Sequence, residues 1–413
     1  MALARLLQVS DLHLGRPFGW LPPERREERR REQKRVLERC VTEAIERGAH
    51  AILIPGDLFD LEGVDVDTLR SVQAQFDVTG CPPVFIAPGN HDPCTEASTY
   101  WNPRLLRARG MRWPDHVHIF AGPEWTSAPL AEPAGVRIWG RSFTSNVVSL
   151  ERPLAPSALQ SIPAPDTTGV DVAVFHGSRE GQCPPGQKLT APFSDQEALN
   201  APFAYLAAGH YHAGSRITAT EGSSAGVRLA YAGSAAALDG SEVGAHGALE
   251  VRIEYGRRLP FVETEFVQLD RRRVFDLTVD VNGCPSAERV DRRLQKALDD
   301  AGVTDQDLAT LRLAGRLTKG VRYAGPVPEL TARAFHLRTD LSGVRPDYDL
   351  DAYRSGDGGT TEEKFARALL EQLEREEDPL QRALVESALY YGLDAFRLHE
   401  VVPSYEELAG RAP

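Results

Sequence analysis

The sequence predicts an α/β fold. Short, continuous apolar runs recur through its first 210 residues, each bounded by glycine, proline or polar residues. A long segment with helical apolar spacing separates the first two. Every run ends in a polar cluster containing aspartate, asparagine or histidine, and open α/β sheets place their sites where loops leave the carboxyl ends of strands.

The first runs are residues 5–9 before Ser10-Asp11, 51–54 before Gly56-Asp57, and 84–87 before Gly89-Asn90. Residues 170–175 before His176 and 205–208 before Gly209-His210 follow. Runs of four to eight apolar residues suit strands buried on both faces. Residues 24–48 carry Val36, Leu37, Cys40, Val41, Ala44 and Ile45 at helical spacing, with Gly48 as a stop. Beyond Gly209, residues 227–231 and 248–269 read as consecutive strands. Arg271-Arg272-Arg273 marks a boundary, followed by a strand over 274–281, a helix over 286–301 and a strand over 308–317. Ser355-Gly356-Asp357-Gly358-Gly359 reads as a flexible break. Thr361 is expected to cap a helix carrying Phe365, Ala366, Leu369, Leu370 and Leu373. A last helix over 380–396 places Leu380, Leu384, Ala388 and Tyr391 on one stripe. The expected domains are therefore 1–271, a small α/β domain over 272–354, and a helical segment over 355–413.

A chain of 413 residues fits two or three domains. No stretch approaches the roughly 20 apolar residues of a membrane span. The first residues carry no secretory pattern, so a cytoplasmic protein is expected. Cys40, Cys81, Cys94, Cys183 and Cys284 form no CxxC pair, so neither a cysteine zinc site nor a disulfide framework is suggested. The 47 basic residues against 59 acidic ones leave a net charge of −12, which argues against a broadly basic nucleic-acid binder. The charge is uneven. Residues 24–35 hold 7 basic and 4 acidic side chains, and residues 361–413 hold 6 and 12.

Chemistry concentrates in five motifs. They are Asp11-Leu12-His13, Gly56-Asp57-Leu58-Phe59-Asp60, Gly89-Asn90-His91-Asp92, the lone His176, and Gly209-His210-Tyr211-His212. Strand residues two apart point the same way, so Asp11 with His13, and His210 with His212, can reach one ion. Glycine lets the backbone turn sharply and approach a ligand. Each motif alone is weak. Five in this order, each after an apolar run, specify a metal centre.

The set DxH, GDLFD, GNHD, H and GHxH resembles the calcineurin-like metallophosphoesterase superfamily. Within it, Asp11-Leu12-His13-Leu14-Gly15, the GDLFD run and Tyr231-Ala232-Gly233-Ser234 resemble SbcD-type DNA repair nucleases, which act with an SbcC-type coiled-coil ATPase. Ala191-Pro192-Phe193-Ser194 and the acidic helical end look most like the YhaO-like branch. The resemblance covers residues 1–270 most clearly. It implies a four-layer β-sandwich flanked by helices, with a small α/β capping domain and C-terminal helices. It also implies that Asp11, His13 and His212 hold one divalent ion, that Asn90, His176 and His210 hold a second, and that Asp57 bridges them. Mixed nitrogen and oxygen ligands favour Mn2+ or a similar ion over calcium. His91 would stabilise the transition state or protonate the leaving oxygen, and Asp60 would orient His91. The implied activity is that of a manganese-dependent DNA nuclease in an SbcCD-like complex. Its partners would be DNA ends and the ATPase, and a homodimer is possible. No GxxxxGK[ST] sequence occurs, so ATP hydrolysis would belong to the separate subunit.

Other readings stay open. The charge of −12 suits a small-molecule phosphodiesterase better, and a metal-bound interaction subunit is a third class. Asp92 is expected to shape its turn. His116 and His118 mimic the HxH spacing without a preceding glycine. Ser178 lacks a GxSxG elbow. Tyr211 either contacts substrate or packs. Residues 25–35 form either a solvated helix face or a phosphate contact. Tyr100, Trp101 and Trp113 either stack bases or pack in the core. The proline-rich region 126–165 matches nothing. The C-terminal helices either dock onto a partner or pack on their own protein.

Overall fold

A computed structural model describes residues 2–60, 64–163, 169–183, 188–256, 259–356, 358–399 and 401. The chain divides into two compact units, Met1–Phe275 with Gln306–Leu308, and Asp276–Asp305 with the residues from Ala309 onward.

The first unit is built on strands β1 (Ala2–Gln8), β2 (Ala51–Ile54), β3 (Val84–Ile86), β4 (Val117–Ile119), β5 (Thr126–Pro129), β6 (Val136–Gly140), β7 (Val170–His176), β8 (Tyr205–Gly209), β9 (Ser215–Ala219), β10 (Ala225–Tyr231), β11 (Gly247–Tyr255) and β12 (Phe261–Gln268). Their hydrogen-bonded order is β4-β3-β2-β1-β11-β12-β10-β8-β7-β6-β5, with β9 antiparallel on β10. β12 pairs with β11 from Gly247↔Gln268 to Glu254↔Phe261, but meets β10 only at Ala225↔Phe261 and Gly226↔Val262. At this narrow junction the path folds into two facing halves.

Side-chain alternation shows the facing directly. In β1 and β2, Ala4, Leu6, Ala51 and Leu53 share one apolar cluster with Val172 and Val174 of β7 and with Tyr205 and Ala207 of β8. The intervening Leu7, Ile52 and Ile54 point to the opposite face. On the far side, Ala173, Phe175, Leu206 and Ala208 form a third cluster. Both faces of these strands are buried, which explains their unbroken apolar runs.

Helix α1 (Pro23–Glu46) covers the first half-sheet through Val36, Leu37, Cys40, Val41 and Ala44. Proline at its first position gives up an N–H that would have no intrahelical partner. Helix α2 (Val66–Phe76), capped by Asp65, packs beside it through Leu69, Val72 and Phe76. Helix α3 (Pro103–Ala108) is short, and α4 (Asp195–Asn200) begins in a Ser194/Glu197 capping box. Leu154 and Ile162 from the proline-rich region, with Trp125 just before it, join the third cluster, so that region helps cover the outer face. Its residues 164 and 165 lie outside the described residues. The five cysteines are thiols, none joined in a disulfide. Among the described residues no helix is long and apolar enough to cross a membrane.

Most of the basic run forms a solvated face, with Arg30, Arg31 and Arg35 exposed and Arg25–Glu28 and Arg30–Glu27 paired along the helix, but two of its charged residues turn inward. Arg29 is fully buried and paired with Asp270, which also accepts N–H bonds from Ala237 (3.0 Å) and Arg272 (3.1 Å). Glu32 takes Arg272 at 2.6 Å. One face of α1 therefore carries an ion network into the interior, tying the helix to the segment after β12. Tyr100, Trp101 and Trp113 pack around Phe59, and only 2% of Trp101 is exposed, so its role is in the core.

The second unit holds the sheet β13-β14-β15, from Val274–Asp280, Leu308–Leu317 and His336–Pro346. Its helices are α5 (Ala287–Asp300), α6 (Pro328–Thr331), α7 (Leu350–Ser355), α8 (Thr361–Arg375) and α9 (Pro379–Leu398). Thr360 caps α8 in a box with Glu363, one residue before the expected Thr361. The face of α9 that packs is Leu389 and Leu393, against Tyr353, Ala366 and Leu370. The expected stripe is offset from it: Leu380 is 80% and Leu384 44% exposed. Burial follows the position of α8, which helical spacing within α9 does not encode. Residues 402–413 of the expected helical segment lie outside the described residues.

Breaking a buried ion pair on one side leaves an uncompensated charge and costs about 3–5 kcal/mol. Arg29→Met is therefore expected to lower stability in urea denaturation by about that amount. Arg30→Met, on the exposed side of α1, should change it by less than about 1 kcal/mol.

Candidate metal centre

Parallel pairing of β1, β2 and β3, and of β7 and β8, brings their carboxyl ends to one side of each half-sheet. Asp11 and His13 follow β1, Asp57 and Asp60 follow β2, and Asn90 and His91 follow β3. His176 ends β7, and His210 and His212 follow β8. Asp11 and His13 lie past the end of β1, and His210 and His212 past the end of β8, so strand alternation does not set their directions. Asp11 and His13 adopt left-handed backbone conformations (φ 51° and 46°), as does Asp57 (φ 52°), and His210 also has a positive φ (122°). Such conformations cost about 1–3 kcal/mol each and persist where surroundings over-determine them. Here the first two loops are zipped together by Asp11 N to Gly56 O (3.2 Å), His13 N to Asp57 O (2.9 Å) and Leu14 N to Leu58 O (2.9 Å).

Asp92 secures the second and third loops. Its carboxylate accepts the backbone N–H of Asp57 (3.1 Å), Leu58 (2.9 Å), Phe59 (3.3 Å) and Gly89 (2.6 Å). Burial and the neighbouring Asp57 charge raise its pKa, against the pull of those donors, which favour the carboxylate. A Cβ on Gly89 would collide with Asp57 Oδ1, so only glycine fits there.

Asp57 is the meeting point. Its Oδ1 accepts His91 N–H at 2.9 Å, and its Oδ2 lies 3.6 Å from His13 Nε2 and 3.3 Å from His176 Nε2. His176 Nε2 is 3.0 Å from Asn90 Oδ1 and 3.3 Å from His210 Nδ1. The His13 ring lies 5.3 Å from that of His212 and 4.7 Å from that of His91. Asp11, His13 and His212 bring ligand atoms within 4.8 Å of one another, as do Asp11, Asp57 and His176. A third such group is His13, Asp60 and His91.

The donor chemistry fits divalent cations. Both ring nitrogens of His13 and Nε2 of His210 are buried with no hydrogen-bond partner, a costly condition that a cation would relieve. Burial pushes the pKa of His13 and of His210 down to about 3, so both offer neutral lone pairs at pH 7. Burial opposes ionisation of Asp57, but His176 and His13 outweigh it and hold the carboxyl well below its usual range. Burial likewise opposes charge on His176, yet Asp57 and Asp11 raise it to about 9. The centre thus attracts positive charge strongly.

Asp60 lies 3.6 Å from His91 Nδ1, 3.8 Å from His13 Nδ1 and 3.5 Å from Arg16. Interaction with Asp60 raises the His91 pKa against the effect of burial. His91 is 38% exposed at its side chain, whereas His13 and His176 are sealed. All nine expected site residues therefore converge. His116 instead bonds the Phe76 carbonyl, and His118 packs on Phe85 and Phe120. Ser178 accepts Thr190 N–H, and Tyr211 donates to the Arg179 carbonyl and packs on Tyr231. Two neighbours escaped sequence reasoning, Arg16 beside Asp60 and Glu242 beside His212 (2.7 Å). No motif or apolar run marks either.

The family model for calcineurin-like phosphoesterases matches residues 4–214, a span that contains all nine site residues. The chain belongs to the calcineurin-like phosphoesterase family. It is accordingly a metal-dependent phosphoester hydrolase with a fold that binds two divalent ions. Among solved structures, TT1561 of Thermus thermophilus is similar at 14% identity and a TM-score of 0.35, over 65% of this chain and 100% of that one. Purple acid phosphatase PPD1 from yellow lupin (Lupinus luteus) seeds is similar at 10% identity and a TM-score of 0.38. That match covers 65% of this chain and 52% of PPD1, so this chain spans about half of the plant enzyme. No curated protein matches the sequence significantly.

Asp92→Ala strips the acceptor from four buried N–H groups, at about 1–3 kcal/mol each. A stability loss of at least about 3 kcal/mol is expected in urea denaturation. Elemental analysis of dialysed protein should find two divalent ions per wild-type chain. It should find fewer than one in Asp57→Ala, and about one in His212→Ala, because the Asp57 carboxylate lies beside both His13 and His176 whereas His212 belongs to one ligand group.

Proposed function

We propose that the protein is a manganese-dependent DNA nuclease, hydrolysing phosphodiesters by a two-metal mechanism as the nuclease subunit of a cytoplasmic SbcCD-like complex. The observation that carries the hydrolytic core is Asp57 Oδ2, set between His13 and His176 at the base of two ligand groups. The polymer substrate rests on the resemblance of the DLHLG, GDLFD and Tyr231-Ala232-Gly233-Ser234 segments to SbcD-type nucleases. Five cysteines held as thiols suit a reducing compartment.

Asp11, His13 and His212 would hold one ion, Asn90, His176 and His210 the other, and Asp57 both. When bound, the two ions supply Lewis-acid polarisation of the phosphoryl group and a water nucleophile competent at neutral pH. The protein contributes the rest. Zipped loops hold the carboxylates and imidazoles in one buried constellation, so little reorganisation accompanies reaction. His91, at the exposed edge, keeps Nδ1 toward Asp60 and has Nε2 left for substrate. A proton held at Nε2 is handed to the leaving oxygen, the general-acid role. Asp60 favours the charged imidazole and fixes its orientation. The exposed Leu380 and Leu384 of α9 offer an apolar contact for the coiled-coil ATPase.

The second reading, a phosphodiesterase for small molecules, is favoured by the net charge of −12. Hydrolysis of linear duplex DNA, single-stranded DNA and a small chromogenic diester, each with manganese, separates the two. DNA cleavage abolished by EDTA, and lowered about 10²–10⁴-fold in kcat by His91→Ala with metal content unchanged, is the expected result. Cleavage of the small diester alone, with an SbcC-type partner failing to restore activity on DNA, would overturn the nuclease reading.

A further inference from the structure

We propose that Glu242 is a positioning residue for His212, fixing the imidazole so that its Nε2 faces the Asp11–His13 half of the centre; this rests on the metal reading above. Glu242 Oε1 lies 2.7 Å from His212 Nδ1. A carboxylate only accepts hydrogen bonds, and a neutral imidazole carries one N–H. In the neutral form that ligates a metal, the proton is therefore at Nδ1 and the lone pair at Nε2. His176 is set in the same sense, with its Nδ1 2.9 Å from the Pro55 carbonyl and Nε2 toward Asp57. An outer partner of this kind orients a ligating histidine and raises its basicity.

Glu242 is itself held firmly. Its Oε2 accepts Ser234 Oγ–H at 2.8 Å and Leu238 N–H at 3.0 Å, and its carbonyl accepts His246 Nε2–H at 2.9 Å. Ser234 N–H in turn donates to the His212 carbonyl (3.0 Å), and Ala235 N–H to the Ser10 carbonyl (3.2 Å), next to Asp11. One segment, residues 234–242, thus braces both the first and the last motif. Only 12% of the Glu242 side chain is exposed, so its carboxylate is largely shielded from solvent.

The test is a manganese titration of the full-length protein, with free Mn2+ read by electron paramagnetic resonance. Wild type, Glu242→Gln, Glu242→Ala, His212→Ala and the His212→Ala/Glu242→Ala double variant are compared, and melting in EDTA verifies that each is folded. Glu242→Ala is expected to weaken one of two ions by about 10–100-fold and leave the other unchanged. Glu242→Gln, which keeps an acceptor oxygen, should lose less. In the His212→Ala background, adding Glu242→Ala should change nothing further, because its effect passes through His212. Two ions on wild type with unaltered affinities in folded Glu242→Ala would overturn the role of Glu242 and leave the metal centre standing. A further loss in the double variant would overturn it as well. No binding by wild type would overturn both readings.

Discussion

The carboxylate of Asp92 is the constraint on which the centre depends. It gathers four backbone N–H groups from the loops after β2 and β3, none of which has a strand partner to satisfy it. Unpaired, those donors would make the two loops costly to bury. Paired, they hold Asp57 in a left-handed turn with its side chain against both groups of candidate ligands. Loop-to-loop hydrogen bonds then carry this geometry to Asp11 and His13. The buried position of the centre follows from backbone chemistry before any ion is considered.

The same pairing of polar groups runs between the two half-sheets. Gln8, fully buried at the end of β1, donates to the carbonyls of Ala208 and Ala230 and accepts from Tyr205. That bridge fixes the offset between the half carrying Asp11, Asp57 and Asn90 and the half carrying His176 and His210. Further polar contacts, His210 N–H to the Asp11 carboxylate and His176 Nδ1 to the Pro55 carbonyl, join the halves at the centre, while the cluster behind is mainly apolar. Directional contacts of this kind make the centre less tolerant of small slides than the core behind it. The buried imidazole nitrogens without hydrogen-bond partners, on His13, His91 and His210, cluster where cations are expected.

Sequence and structure diverge in instructive places. Residues 25–35 look like a solvated basic face because seven cations dominate the composition. Arg29 and Glu32 are nonetheless buried, since their partners Asp270 and Arg272 arrive from about 240 residues away. Trp101 next to a metal motif resembles a stacking platform, yet it seals the core around Phe59. In α9 the apolar residues outnumber what one contact face can bury, and the position of α8 selects Leu389 and Leu393. In each case the deciding partner is distant in sequence, and periodicity within one element carries no information about it.

The sequence by itself determined the α/β alternation, the strands that end in motifs, and all nine residues that converge. Unbroken apolar runs and glycine-flanked polar clusters are local signals with local causes, namely two-sided burial and tight turns. Only the tertiary structure decided that Asp11 and His13 meet through left-handed turns, that Asp57 stands between two groups, and that Glu242 backs His212. Those outcomes depend on hydrogen bonds and close approaches between segments 30 to 200 residues apart. Directional contacts of that kind are set by where the sheet halves place their loops, which no local pattern encodes.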